Sequence, residues 1–427
     1  MRVVVVGGGV VGLACAWELA RGDAEVVVLD RGALGAGASS GNAGWICPTL
    51  SSPLPGPGMV REGLHQLLHR GEAFVLRPRL DLTFLRWLWT FWRHCAPERY
   101  EAGVRALLEL NRRTMELYDR YRDEGVDFEM HETGLVIAAL SEDGLASYRR
   151  LAHLLGRFGS PGRVDELDGS AAAELEPSLD GDRIACALHA RLDRHVRPEL
   201  LTAGLAASLR DKGVAIHEGW QVDSLRPRGD GWLICSPNGD TMAEKVVVAA
   251  GLGAVGLLRE HGVRMPLVGA GGYSTTITGT GTPPAHALYL AEAKLGVSTF
   301  EAGVRVAGVL ELGAREARPS ADTAAKLLAA AEPYLRGWRP DMGEAAAGWA
   351  GLRPATADGL PLIGAVAGRA NLFAAAGHAM LGVTLAPATA AALAPLVLAG
   401  DHGADLAPFA VSRPARPRRR RPRGSPA

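Results

Sequence analysis

The chain has 427 residues, 48% hydrophobic and 22% charged, the proportions of an ordinary folded protein. Those values exclude wholesale disorder, collagen and a disulfide-stapled miniprotein. Its 46 basic and 46 acidic residues cancel, but seven arginines (Arg413, Arg416, Arg418, Arg419, Arg420, Arg421 and Arg423) crowd the end, so the rest is mildly acidic and has no electrostatic footprint for nucleic acid.

Residues 3–6 (VVVV) predict a buried strand, Gly7–Gly12 a turn, and Val10–Arg21 a helix. Residues 25–29 (EVVVL) predict a second buried strand ending at Asp30, which completes a right-handed βαβ unit. The stretch 35–44 (GAGASSGNAG) is a loop of small residues suited to close approach of a ligand. Helical periodicity marks 59–70, 81–95 and Arg105–Glu124. Gly134–Leu140 is strand-like, and Arg194–Lys212 predicts a helix opened by Pro198. Trp220–Val248 predicts a three-strand meander turning at Asn238-Gly239, whose last strand, Val246–Ala250, ends at Gly251. Residues 267–311 alternate strongly, with a hairpin near Glu301-Ala302-Gly303, and Ala321–Leu335 is helical. Residues 349–364 are punctuated by Gly and Pro as a loop; Leu372–Ala375 is a buried strand, and Gly377 leads into the final helix.

The cysteines, Cys15, Cys47, Cys95, Cys186 and Cys235, are odd in number and hold no C-x-x-C, which argues against a disulfide framework or metal site. Val3–Val6 leave no room for a signal peptide, and the apolar run Leu385–Ala399, interrupted by Pro387 and Pro395, reads as a buried helix. A cytoplasmic protein is expected.

Gly7-x-Gly9-x-x-Gly12 matches the dinucleotide fingerprint. With 54 glycines in the chain, roughly one such match is expected by chance, so the surrounding strand, helix and acid carry the weight. Gly7 allows the tight turn, Gly9 lets the backbone reach a pyrophosphate, and Gly12 lets helix and strand pack. The helix start at Val10 and Val11 offers N–H groups to the phosphates. Asp30, with Arg31 beside it, is placed to accept a hydrogen bond from a ribose 2′-hydroxyl; that favours FAD or NAD over NADP.

Four further features bear on that choice. Ser39-Ser40-Gly41-Asn42-Ala43-Gly44 suits phosphate and a flavin edge. The strand ending at Ala250 and Gly251 can approach a nucleotide. Arg353 is the one cation in the loop Gly351–Gly364. Ala376-Gly377-His378-Ala379-Met380-Leu381-Gly382-Val383-Thr384 opens the last helix, where exposed N–H groups stabilise negative charge.

Together and in this order these features resemble the FAD-dependent amino-acid oxidoreductases, which include glycine oxidase, D-amino-acid oxidase, sarcosine oxidase and bacterial D-amino-acid dehydrogenase. The resemblance runs from Met1 to about residue 408. It is nearest to the dehydrogenase type at Ser40-Gly41-Asn42-Ala43-Gly44-Trp45-Ile46-Cys47-Pro48, at the Trp-rich helical insertion and at Gly272-Tyr273-Ser274; Leu385-Ala386-Pro387-Ala388-Thr389 is more like glycine oxidase. It implies an α/β, mixed α+β fold. A Rossmann-type FAD-binding domain (1–48, 160–262 and 349–409) is interleaved with a mixed or antiparallel-sheet substrate domain (49–159 and 263–348), followed by a disordered Arg-rich tail (410–427).

The resemblance further implies that Gly7, Gly9, Gly12 and Asp30 bind the ADP half of FAD and that Val222 meets the adenine. Asn42, Ala43, Gly44, and Gly377 to Thr384 (with His378, Leu381, Gly382 and Val383) surround the isoalloxazine, and Ser39 belongs to the same cofactor-binding loop. Arg353 holds the substrate carboxylate, with Tyr273 as a second donor. No Cys stands near Arg353, and Asn42 stands where covalent members have His, so FAD is expected to be non-covalent. The implied reaction oxidises a D-amino acid, or D-proline, at the α-carbon to an imino acid. An oxygen-using glycine or sarcosine oxidase, an NAD-linked dehydrogenase and a non-enzymatic flavin module are the alternatives.

His378 reads equally as a flavin or substrate contact and as a helix cap. The segment 81–95 (DLTFLRWLWTFWRHC) allows two readings: an aromatic stripe packed in its own core, or a peripheral membrane contact at the inner face, with a quinone or respiratory component as electron acceptor.

Overall fold

Runs of β-branched residues flanked by glycine set up the first layer. In the computed structural model, which describes residues 1–59, 74–77, 79, 81–278, 282–340, 348–401 and 404–413, β1 (Arg2–Val6), α1 (Val10–Arg21) and β2 (Glu25–Leu29) form the expected βαβ unit. The short β3 (Trp45–Ile46) follows the small-residue loop, and β4 (Phe74–Leu76) precedes α2 (Leu82–His94), α3 (Pro97–Asn111) and α4 (Thr114–Asp123). Next come β5 (Met130–His131), β6 (Leu135–Ala139), α5 (Ala146–Arg157), β7 (Val164–Asp168), α6 (Gly169–Leu175), β8 (Cys186–Ala190), β9 (Arg194–Val196) and α7 (Pro198–Asp211). Then β10 (Ala215–His217), β11 (Ser224–Arg228), β12 (Gly231–Cys235), β13 (Thr241–Ala243), β14 (Lys245–Val248) and α8 (Ala254–Arg259) lead into the longest strands. These are β15 (Leu267–Ile277), β16 (Ala287–Leu290), β17 (Leu295–Phe300) and β18 (Gly303–Leu312); α9 (Ala321–Ala331), β19 (Trp349–Thr356), β20 (Leu362–Ala365), β21 (Leu372–Ala376) and α10 (Gly382–Ala399) complete the chain. The helix expected over 59–70 lies, beyond Met59, outside the described residues, as does the tail after Arg413.

Two sheets dominate this mixed α/β structure. The first has the order β10-β2-β1-β14-β21-β20, parallel except for the antiparallel pair β20/β21. Both of its faces are covered, so its strands are near-continuously apolar. The second sheet runs β19-β15-β18-β17-β16-β6-β8-β7, with β4 beside β18. The helix α9 packs behind β15, β17 and β18 through Leu327 and Leu328, while Phe84, Trp87 and Phe91 of α2 pack on Val268, Ala270, Leu312 and Ala355 of the opposite face. The chain crosses between the sheets several times. Both β7 and β8, expected in the nucleotide-binding share, pair into the second sheet, and so does β19.

Four local expectations changed, three of them through tertiary pairing. Arg105–Glu124 is two helices, broken between Asn111 and Thr114, where the buried Thr114 hydroxyl donates to the Asn111 side chain at 3.0 Å. Arg194–Val196 is a strand pairing with β3 and β5, and the helix starts at Pro198, whose missing N–H costs nothing there. The meander ends at β13; β14 leaves it to pair with β1 and β21. The supposed loop carrying Arg353 is the eight-residue strand β19, registered along β15 from Leu267↔Thr356 to Ser274↔Trp349. The apolar α10 is long enough to cross a membrane by length and composition alone, but it contacts α1, α3 and α4, and residues Val383–Ala390 are buried.

Candidate active site

The first element of the site is a backbone cradle. Gly7 has φ +116°, and a Cβ there would lie 2.5 Å from the Ala249 carbonyl oxygen; one on Gly12 would lie 1.9 Å from the Gly7 carbonyl oxygen. Both glycines are therefore required by the protein itself. Gly9 differs, because a Cβ would meet only the Ser39 hydroxyl, at 3.2 Å. No side chain of Gly9 caps α1; instead the Val10 N–H donates to Ser39 Oγ at 3.0 Å. Asp30 closes the turn by accepting from the Gly8 N–H at 2.6 Å and the Gly32 N–H at 2.8 Å, one on each carboxylate oxygen. Each oxygen keeps a lone pair for a hydroxyl. Val11 is half-buried, Arg31 exposed, and Val222 packs partly against the core behind β14. Ala250 and Gly251, the latter at φ +55°, follow β14 where it leaves the sheet.

The loop 39–44 is held almost atom by atom. The Gly41 carbonyl accepts from the Ser274 hydroxyl, Asn42 from Arg305 Nη1 at 3.0 Å, Ala43 from Ser298 Oγ at 2.7 Å and Gly44 from the Val196 N–H at 2.8 Å. Glu199 of α7 accepts the Gly41 N–H at 2.9 Å and pairs with buried Arg305 at 3.0 Å. The Asn42 side chain braces the turn, donating to the Ser39 carbonyl and accepting from the Gly44 N–H at 2.6 Å. All four carbonyls thus point into protein. Gly44 has φ +75°, and a Cβ on it would lie 1.9 Å from the Val196 carbonyl oxygen, so no other residue fits. The sequence reading missed Ser274, Ser298, Arg305 and Glu199, because they come from β15, β17, β18 and α7.

Arg353 projects from β19 opposite Ala270. Its guanidinium lies against the bare backbone of Gly272, where a Cβ would come within 2.1 Å of Cζ. Nη1 donates to the Val309 carbonyl at 3.1 Å, and among the described residues no carboxylate pairs with it. Burial lowers its pKa to about 10, so it remains a cation at neutral pH. Val309 sits at φ +57°, a left-handed conformation that a β-branched residue rarely adopts, at the register shift where β15 passes β18 between Gly271 and Tyr273.

Tyr273 does not join this group. Successive residues of a strand face opposite sides, so Ala270, Gly272 and Ser274 share the face of Arg353 while Tyr273 points to the other. There it packs partly against the core containing Leu327 and Leu328, and its hydroxyl donates to Glu311 at 2.6 Å. The alternation turns Tyr273, expected as a second donor, away from Arg353. In the Gly272-Tyr273-Ser274 motif it is the glycine and the serine that face the site.

The turn 377–384 is brought to Arg353 by an antiparallel bridge between Ala355 and His378. Gly377 and Ala379 have φ of +80° and +48°. His378 resolves toward a structural part: its ring is buried, Nε2 meets the Thr389 hydroxyl at 3.0 Å, and burial depresses its pKa to about 3. It is neutral and faces into α10. No side chain caps α10, whose first turn carries Leu381, Gly382, Val383 and Thr384. Thr384 donates to the Trp45 carbonyl at 2.9 Å and accepts from the Cys47 N–H at 3.2 Å, tying the helix start to the strand after the clamped loop. The Cys47 thiol is buried, with its pKa pushed up by desolvation, so it is unreactive.

The chain belongs to the FAD dependent oxidoreductase family, whose model matches residues 2–396. It is 32% identical to a D-amino acid dehydrogenase of Cereibacter sphaeroides over 98% of this chain and 97% of that protein. A D-amino acid dehydrogenase of Xylella fastidiosa is also 32% identical, over 96% of each. Among solved structures, glycine oxidase from Geobacillus kaustophilus superposes with a TM-score of 0.75 at 25% identity, covering 96% of this chain and 99% of the other. An L-alpha-glycerophosphate oxidase from Mycoplasma pneumoniae, solved with FAD bound, shares the fold at a TM-score of 0.70 and 18% identity, covering 93% and 94%. This is a flavoenzyme, and FAD is its cofactor. The cradle fits that group: a bare Gly9 at the start of α1, where a Cβ would meet only the Ser39 hydroxyl, and an acid with free lone pairs at the end of β2.

Proposed function

We propose that this flavoenzyme oxidises D-amino acids at the α-carbon, giving an imino acid that water converts to a 2-oxo acid and ammonia. The observation that carries the reading is Arg353, a half-buried cation with one carbonyl partner and most of its planar fork unengaged by the described residues. A carboxylate is the group that such a fork pairs with bidentately. Full-length similarity to D-amino acid dehydrogenases supports the D-series as substrate.

Bound FAD supplies the two-electron acceptor. Gly7, Gly9, Gly12 and Asp30 would hold its ADP half, and the clamped loop and the first turn of α10 its ring system. The chain's own contribution is binding, orientation and desolvation. Arg353 fixes the carboxylate and so the direction of the α-carbon. Phe84, Trp87 and Phe91 of α2 keep water from the sheet around it. His378, neutral and turned inward, takes no proton from the substrate amine.

Anaerobic mixing with a panel of D-, L- and N-methyl amino acids tests this reading through loss of the yellow flavin absorbance. D-amino acids should bleach it. Bleaching by glycine or sarcosine alone moves the enzyme to the oxidase type, by D-proline alone to a cyclic-substrate dehydrogenase, and by none removes the reading. Acid precipitation should leave all the colour in the supernatant, since no Cys or His offers a flavin linkage where covalent members carry one.

We also propose that α2 rests on an anionic membrane surface at the cytoplasmic face, with a quinone as electron acceptor. Both readings of this helix apply, one to each face. Phe84, Trp87 and Phe91 are buried, while Leu82, Leu85, Trp89 and Trp92 recur at helical spacing on the outside, 71%, 48%, 49% and 55% exposed. Arg93 lies 4.6 Å over the Trp89 ring, and a groove of about 450 Å³ lined by Trp92, Arg93, Cys95, Ala96 and Arg99 continues the patch. Apolar and basic surface combined suits acidic headgroups. The protein should sediment with anionic but not zwitterionic vesicles, less in high salt, and less after Trp89→Ser with Trp92→Ser. Sedimentation unchanged by that pair of substitutions would remove α2 from the contact.

A further inference from the structure

We propose that Tyr273 and Glu311 are positioning residues that set the affinity for the substrate carboxylate from the opposite face of the sheet, by clasping the bulge on which Arg353 is seated. The inference rests on the reading of Arg353 as the carboxylate anchor. Between Gly271 and Tyr273, β15 advances two residues while β18 advances three, from Glu311 to Gly308. The additional residue disrupts the ladder locally, and Val309 takes its left-handed φ of +57°. Its carbonyl becomes the protein partner of Arg353 Nη1 at 3.1 Å.

The two ends of this bulge are joined by side chains on the other face. Tyr273 stands just past the register shift and Glu311 just before it, and the Tyr273 hydroxyl donates to Glu311 Oε2 at 2.6 Å. Glu311 is buried, with Arg77 beyond β4 holding its other oxygen. The sheet is thinned by glycine on both sides at this point. On one face the Arg353 guanidinium lies on Gly272; on the other, Glu311 lies against Gly271, where a Cβ would be 3.0 Å from Oε2. A short hydrogen bond to a carboxylate is among the stronger uncharged-donor contacts available, and it spans the irregular segment. Burial and the Glu311 contact push the Tyr273 phenol up to about 12, so it stays a donor throughout the working pH range. The link to the substrate is then mechanical: the clasp holds the bulge, the bulge aims the Val309 carbonyl, and the carbonyl orients the fork.

The test uses FAD-loaded enzyme and propionate, a carboxylate with no amine to oxidise, titrated through its perturbation of the flavin spectrum. Tyr273→Phe and Glu311→Ala should weaken propionate about five- to tenfold, the worth of one net hydrogen bond. KM for the amino acid should rise by the same factor with kcat nearly unchanged. Glu311→Gln, which still accepts from Tyr273, should restore most of the affinity that Glu311→Ala loses. If Arg353→Ala abolishes propionate binding while Tyr273→Phe leaves it unchanged, the clasp is refuted and the anchor stands. If Arg353→Ala leaves propionate binding intact, the anchor fails and the clasp with it. Tyr273→Phe removes a single hydroxyl, so the test holds even if Glu311→Ala does not fold.

Discussion

The cradle around Gly7–Asp30 and the seat of Arg353 are built in opposite ways. The cradle is contiguous: β1, α1 and β2 occupy the first 29 residues, and the groups it presents are backbone N–H groups and one acid. The seat is assembled from Gly272, Val309 and Arg353 on three strands, and it depends on a residue held in an unfavourable conformation. A phosphate site can be written locally because helix geometry supplies the donors. A carboxylate site inside a sheet needs a cation desolvated by distant neighbours, and that is a property of packing. The loop 39–44 stands between these cases, local in sequence but with its carbonyls held by Ser274, Arg305, Ser298 and Val196.

The largest effect should come from the cradle. Gly9→Val should yield folded, colourless protein, because the added side chain meets little of the protein but intrudes where the pyrophosphate belongs. Gly12→Ala should lose both colour and stability, since its Cβ has no room even without a ligand. Circular dichroism and flavin absorbance separate the two. A yellow Gly9→Val protein would break the assignment of the cradle.

Next in size is the seat. Arg353→Ala should lower kcat/KM on the order of 10²–10³ or more, from the ~3–5 kcal/mol associated with leaving a buried charge unpartnered. FAD content should be unchanged, since none of the cradle's contacts involve Arg353. Arg353→Lys should recover part of the loss, because an ammonium supplies charge without the fork. Near-normal kcat/KM in Arg353→Ala would show that the carboxylate is held elsewhere.

The smallest effect concerns buried Asp193, which accepts from Thr49 and whose other carboxylate oxygen has no partner among the described residues. Desolvation raises its pKa to about 7. The folded pKa lies above the unfolded one, so this group's contribution to stability is present in acid and lost as pH rises through about 7. Asp193→Asn, which keeps the acceptor for Thr49, should raise Tm by about one to a few degrees at pH 8 and by less at pH 5. His378 and His195, depressed to about 3 and 4, act with the opposite sign: their contribution is present above the ordinary histidine range and is lost as pH falls. An equal gain from Asp193→Asn at both pH values would contradict the assigned titration.

The sequence alone determined the contiguous parts. Four valines before a glycine turn, a helix of matching length and an acid after the second strand specify one βαβ unit, because each signal acts over a few residues. Gly41 to Gly44 were likewise legible as a loop of small residues, though not what would hold them. The tertiary structure alone decided which side of β15 faces the site. Alternation puts Tyr273 opposite Gly272 and Ser274, and no local pattern says which face of a strand buried on both sides meets the ligand. It also decided that Arg353 stands on a strand, since the eight-residue pairing with β15 overrides the glycines and proline that made 349–364 read as a loop. The bulge at Val309 had no sequence signal at all: a valine is among the residues least suited to that backbone, and only the surrounding ladder, Tyr273 and Glu311 hold it there.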